Sequence, residues 1–225
     1  MTPLAGGYLF LLGLASGITL LAMTSYRRIS PTWLKWLVMA TGLFVFSRYV
    51  TLALFTWPDA PQRFSALRHC WLATSVGLTL PSVVAVDQLI RHPAMTPKKL
   101  LRWFSPFLAA YAAVILFGRF TAVPDPVAGW TLDLAPGWER LVAVVQSVFV
   151  AGFLCIAGML ARKIPVTQIR VALGGLMLAQ AYLGLDGILL AMGRWYMRPF
   201  LFSEMAALLA IWYALETAHT LQQSS

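Results

Sequence analysis

Arg48 is the residue of this chain whose setting most demands an explanation. It lies deep in the apolar run Leu34–Trp57. A guanidinium inside a bilayer is costly and needs a partner or a function. A second apolar run, Ile169–Gly193, carries Gln180, Tyr182 and Asp186. If both runs cross a membrane in the same direction, Arg48 and Asp186 share a depth, and a guanidinium fits a carboxylate as a bidentate pair. Glu204, which opens the run Phe200–Leu221, is the alternative partner. His69 begins the third run, and Gln146 sits in the outer part of the fifth. Arg48, Asp186, Glu204, His69, Gln180, Tyr182 and Gln146 therefore form a candidate ligand-binding set, expected to line a polar pocket open to the outer face. A structural reading stands beside it: an Arg48–Asp186 pair that only pins two helices, with His69 at a membrane interface.

Other constellations are thinner. Glu216 and His219 form an E-x-x-H at i and i+3, which places both on one helix face. A carboxylate-bridged di-iron bundle needs a second such motif and further glutamates, and the sequence supplies none in place, so neither a metal nor another cofactor is expected. Glu216, His219, Asp87 and Gln88 read instead as polar inner ends of helices. The three histidines, His69, His92 and His219, are scattered, which argues against paired haem ligation. GxSxG, HExxH and P-loop motifs are absent, and no enzymatic activity is expected. Cys70 and Cys155 are isolated and read as buried thiols.

What must position these residues follows from composition. Of 225 residues, 60% are hydrophobic and 11% charged. Soluble domains carry about 25% charged residues, so a soluble enzyme and a disordered chain are both excluded. At roughly 20 residues per membrane-crossing helix, the length fits seven apolar runs: Leu4–Tyr26, Leu34–Trp57, Leu67–Ile90, Phe104–Thr121, Leu141–Ala161, Ile169–Gly193 and Phe200–Leu221. The expected fold is an all-α polytopic bundle of seven transmembrane helices, one domain over residues 1–225. Met1–Gly7 carries no basic residue and no cleavage pattern follows, so the first run is expected to be retained as a span.

The net charge of +9 is explained by the loops and not by nucleic acid. Arg27, Arg28, Lys35, Arg91, Lys98, Lys99, Arg102, Arg162, Lys163 and Arg170 fall on one side. Arg63, Arg68, Arg119, Arg140, Arg194 and Arg198 fall on the other, with Asp59, Asp125, Asp133 and Glu139. The more basic side is expected to be cytoplasmic, which puts the N-terminus outside and the C-terminus inside a bacterial inner membrane. Trp57, Trp130, Trp138 and Trp195 stand near run ends, as an interfacial belt would place them. In the longest outer loop, Val123–Arg140, the segment Gly129–Leu134 is expected to lie on the membrane surface. Gly13 and Gly17 form a GxxxG suited to close helix contact. Pro81 and Pro106 are expected to bend or break their helices.

Shifted by 135 positions, the chain partly matches itself. Gly17 meets Gly152, Ala22 meets Ala157, Arg27-Arg28-Ile29 meets Arg162-Lys163-Ile164, Thr32 meets Thr167 and Lys35 meets Arg170. This predicts a parallel 3+1+3 repeat, residues 1–90 and 139–225, joined by a connector over 104–121. That plan resembles the broad group holding sugar and vitamin transporters, opsins and seven-helix receptors. Arg68-His69-Cys70-Trp71-Leu72, followed by Leu80-Pro81 and Asp87-Gln88, resembles the third span of seven-helix sensor modules found at the head of some bacterial histidine kinases. The chain departs from those proteins in carrying no kinase or cyclase domain, and from opsins in having no lysine in span 7 to hold retinal. The resemblance implies a receptor or sensor that takes a small ligand from the outer face and acts through a protein partner at the basic loops. A small-solute transporter and an assembly subunit of a larger membrane complex are the alternatives.

Overall fold

A computed structural model describes residues 3–91, 95–191 and 200–223. His92, Arg194, Trp195 and Arg198, to which the sequence assigns interfacial or loop positions, lie outside that set. Seven helices are long and apolar enough to cross a membrane. They are α1 (Pro3–Tyr26), α2 (Thr32–Leu54), α3 (Ala73–Ile90), α4 (Pro97–Phe117), α5 (Pro136–Lys163), α6 (Thr167–Ala191) and α7 (Leu201–Gln223). The chain is thus a multi-pass helical bundle, the architecture in which every backbone polar group is satisfied within its own segment.

Two helices start earlier than hydropathy predicts. α4 begins at Pro97, seven residues before the apolar run, because Thr96 caps it: its hydroxyl accepts from the Lys99 N–H at 3.3 Å, and Pro97 takes the first helical position. Lys98, Lys99 and Arg102 therefore ride on the first turns of a helix and not in a loop. Their long aliphatic stems let the charges reach the interface. α5 likewise begins at Pro136, placing Glu139 and Arg140 on its first turns. Pro81 and Pro106 do not break their helices: α3 and α4 run continuously through them.

The helices pack as a closed ring. α1 lies against α2 and α7, α2 against α3, α5 against α6, and α6 against α7. α3 also packs firmly against α7 and more lightly against α4, α5 and α6. α3 and α7 are accordingly the most enclosed helices, and α4 and α5 the least. Between α2 and α3 the fit is closest at Gly77, where a Cβ would stand 2.0 Å from Val45 Cγ2. Apolar side chains on the perimeter, such as Phe10, Trp103 and Leu178, are the lipid-facing surface of such a bundle.

The loop after α4 has regular structure that the sequence reading did not assign: residues Phe120–Asp125 (β1) and Gly129–Leu134 (β2) form an antiparallel hairpin. Asp125 Oδ1 accepts from the N–H groups of Val127 and Ala128 at 2.8 and 2.7 Å and closes the turn. The hairpin docks on the end of α2. Trp130 donates its backbone N–H to the Phe55 carbonyl at 3.1 Å and its indole N–H to the Pro58 carbonyl at 3.0 Å. Ala128, at the turn, joins the buried core. One end of the bundle is therefore the hairpin end. The opposite, basic end holds the α1–α2, α3–α4 and α5–α6 connections.

Candidate functional site

The charged centre of the bundle is built on α2, α3 and α7 near the hairpin end. Arg48 occupies the last two turns of α2 and Glu204 the first turn of α7. Both are nearly sealed from the surface, at 5% and 2% exposure. Arg48 Nη1 donates to Glu204 Oε1 at 2.5 Å and also contacts the Thr74 hydroxyl on α3. Thr74 donates to Glu204 Oε1 at 3.2 Å, and the Tyr49 hydroxyl donates to Oε2 at 3.1 Å. Glu204 thus accepts from three side chains. A buried ion pair persists when its geometry is good and its remaining lone pairs are occupied, as here.

Hydrogen-bonding capacity is left over around this pair. Arg48 Nε has no partner among the described residues. Tyr8 of α1 is buried at 3% exposure, its hydroxyl is also without a partner there, and it lies close enough to Arg48 and Glu204 to feel both charges. The set is then one guanidinium, one carboxylate, two phenols and one hydroxyl, drawn from four helices. Chemically it can hold a small polar group that accepts from Arg48 and Tyr8, or that competes with Arg48 for Glu204.

The partner of Arg48 is the alternative named from the sequence and not Asp186. The two residues do share the half of the bundle nearer the hairpin, but the hydrogen bonds of Arg48 go to Glu204 and Thr74 and none reaches Asp186. Asp186 is buried at 1% exposure and neither of its oxygens has a hydrogen bond among the described residues. The Ser203 hydroxyl of α7 donates to the Phe200 carbonyl at 3.1 Å.

The remaining candidates do not converge on Arg48. Gln180 is buried and donates to Ser82 of α3 at 2.8 Å, leaving its own carbonyl oxygen without a partner among the described residues. Tyr182, two positions on, faces the opposite side of α6 and is 38% exposed. Gln146 accepts from the Tyr111 hydroxyl of α4 at 2.5 Å. The His69 Nδ1 lies 2.6 Å from the Ile115 carbonyl, fastening the α2–α3 connection to the end of α4. That connection is a helical turn, Ala60–Arg63, followed by a 3-10 segment, Ser65–Cys70.

Sequence reasoning missed Tyr8, Tyr49 and Thr74. Tyr49 is the residue after Arg48, and Thr74 lies near the hairpin end of α3 at the depth of Glu204, so depth counting alone nominates both. At the basic end, Glu216 accepts from Ser25 at 2.6 Å and from Arg28 at 3.0 Å, clamping α7 to α1. His219 is buried one turn further on. Cys155, read as a buried thiol, is exposed on α5, and Cys70 is half-buried. The chain matches no family model, no curated protein and no solved structure.

Proposed function

We propose that this chain is a non-enzymatic receptor or sensor in a bacterial inner membrane, with its N-terminus outside and C-terminus inside. The Arg48–Glu204 cluster is its ligand-responsive element, and a protein partner at the basic loops receives the output. The observation that carries this reading is the unspent capacity beside a sealed ion pair: Arg48 Nε and the Tyr8 hydroxyl stand buried without partners among the described residues. A small polar ligand, entering from the hairpin end, gains those donors and competes for the ones already used. Such a ligand acts on α7 directly. Glu204 ties one end of that helix to α2 and α3, and Glu216 ties the other end to α1. The two carboxylates are about 18 Å apart along the helix axis, so a shift of α7 at one end reaches the basic end as a rigid-body displacement.

The experiment is a thermal-stability screen of the purified chain against small polar solutes, run beside solute flux into proteoliposomes. A sensor is stabilised by a solute, loses that response in Arg48→Leu/Glu204→Leu, and shows no flux of the same solute. Flux identifies the transporter reading. What supports that reading is that exchanging helices 1–3 with 5–7 maps the α1–α2 and α2–α3 contacts onto α5–α6 and α6–α7. Parallel repeats of that kind occur in transporters. Absence of both responses, with the chain stable only beside a stoichiometric partner, leaves the complex-subunit reading. A reporter fused at Ser225 that reads as external overturns the orientation.

A further inference from the structure

The second feature of the molecule with chemical content lies away from Arg48, where α4 packs loosely against α3 and α5. A cavity of about 610 Å³ runs between these three helices. Its floor is aromatic: Phe149 meets Phe104 and Phe107 edge-on at 5.9 and 5.8 Å between ring centroids, and Phe153 lies beyond, tilted against Phe149 at 5.8 Å. Its rim is open to the lipid side, since Trp103, Val148 and Ile156 on its walls are 76%, 56% and 56% exposed. α5 presents Gly152 to this space. A Cβ at Gly152 would meet nothing within 4 Å.

The groove has the length of one lipid leaflet. Its α5 wall extends from Val148 to Leu160, about 18 Å of helix at 1.5 Å per residue. Half of a bilayer core is about 15 Å thick. Its volume lies within the range of about 300–1,000 Å³ typical of small-molecule sites. The wall is apolar except at the basic end. There Asp87 lines it, accepting a long 3.5 Å hydrogen bond from Gln88.

At that end each of the three helices carries a basic residue within one turn of a wall residue. Arg91 follows the wall residue Ile90 and is exposed. Lys163 lies one turn beyond the wall residue Leu160 on the same stripe of α5 and is exposed. Lys99 lies one turn before the wall residue Trp103 on α4. An apolar slot of leaflet depth that ends in cations is complementary to one kind of molecule.

We propose that this groove holds an anionic glycerophospholipid, with one acyl chain along the Phe104–Phe149–Phe153 floor. The phosphate meets Arg91 and Lys163, and Asp87 accepts from a headgroup hydroxyl. This assignment is independent of the Arg48–Glu204 cluster.

The test is native mass spectrometry of the full chain after equilibration in mixed micelles of phosphatidylglycerol and phosphatidylcholine with matched acyl chains. One phosphatidylglycerol per chain is retained in preference to phosphatidylcholine. Gly152→Leu fills the slot and removes the retained lipid. Arg91→Asn with Lys163→Gln weakens phosphatidylglycerol retention by about ten-fold, because each basic group near a lipid surface contributes to anionic-lipid affinity. Asparagine is chosen because residue 91 has a φ of 44°, which asparagine tolerates. Both of these positions are exposed, so this variant keeps the test open if Gly152→Leu does not fold. Equal retention of the two lipids, or retention unchanged by both variants, overturns the proposal. So does a dimer that Gly152→Leu converts to monomer, which would give the groove to a second copy of the chain.

Discussion

Arg48 on α2 and Glu204 on α7 stand 156 positions apart in the chain and 2.5 Å apart in the bundle. Neither helix follows the other in sequence. The pair is the one ion pair among the described residues that is sealed from the surface; Arg28–Glu216 and Arg63–Asp59 are both partly or fully exposed. It is bridged by Thr74 on α3, the helix that packs against both α2 and α7.

Breaking this pair from one side strands a buried charge. Arg48→Leu and Glu204→Leu are each expected to destabilise the protein by about 3–5 kcal/mol, whereas the double variant, which strands the Tyr49 and Thr74 hydroxyls but no charge, is expected to cost less than the sum of the two. Thermal unfolding in detergent across the four proteins checks this. A double variant as unstable as the sum of the singles contradicts it.

Asp186 shares no hydrogen bond with Arg48, since neither of its oxygens has a partner among the described residues. The Arg48→Leu and Asp186→Leu effects are therefore expected to add to within about 0.5 kcal/mol, as distant sites do. The same double-mutant cycle, measured with Asp186 in place of Glu204, reads the coupling directly. A coupling as large as that with Glu204 would mean the two helices communicate.

Gly77 sets the distance between α2 and α3. The Cβ of Gly77→Ala would stand 2.0 Å from Val45 Cγ2 and 3.1 Å from the Thr41 carbonyl oxygen, a branched side chain and a backbone atom that cannot swing away. Overpacking of this kind costs about 1–3 kcal/mol. Adding Val45→Ala is expected to recover part of the loss and not all of it, because the Thr41 contact stays. Thermal midpoints of the single and double variants decide the point.

Gly129 holds the hairpin against α2. Its φ of +77° suits glycine, and a Cβ there would lie 2.9 Å from the Phe55 carbonyl oxygen. Gly129→Val is expected to undock β1 and β2 while leaving the helices intact. Faster hydrogen exchange at the Trp130 amide, with unchanged helical circular dichroism, is the expected signature. Trp130→Phe, which removes only the indole bond to Pro58, is expected to cost about 1 kcal/mol and keep the amide protected.

Much of this protein is legible in its sequence. A composition of 60% apolar and 11% charged residues leaves a helical membrane bundle as the remaining class. Seven runs give seven helices, because the bilayer imposes span length and backbone satisfaction on each segment separately. The charges inside those runs, Arg48, Asp186 and Glu204, were identifiable for the same reason, since a bilayer makes every interior charge conspicuous. Depth was readable too, as it follows from counting along one helix.

Which helices are neighbours was not readable, and the pairing of those charges turned on it. Arg48 and Asp186 sit in the same half of the bundle, yet Arg48 meets Glu204, across α3, which packs against both α2 and α7. Rotation was equally hidden. Tyr182 turns to lipid while Gln180 turns to Ser82, because uniformly apolar helices carry little amphipathic signal to mark an inner face. The hairpin escaped for a third reason. Its strands are fixed by Asp125 closing the turn and Trp130 docking on Phe55 and Pro58, the latter a contact across 72 positions. Hydropathy is a property of segments, whereas pairing, facing and docking are properties of the packed interface, and only the tertiary structure holds those.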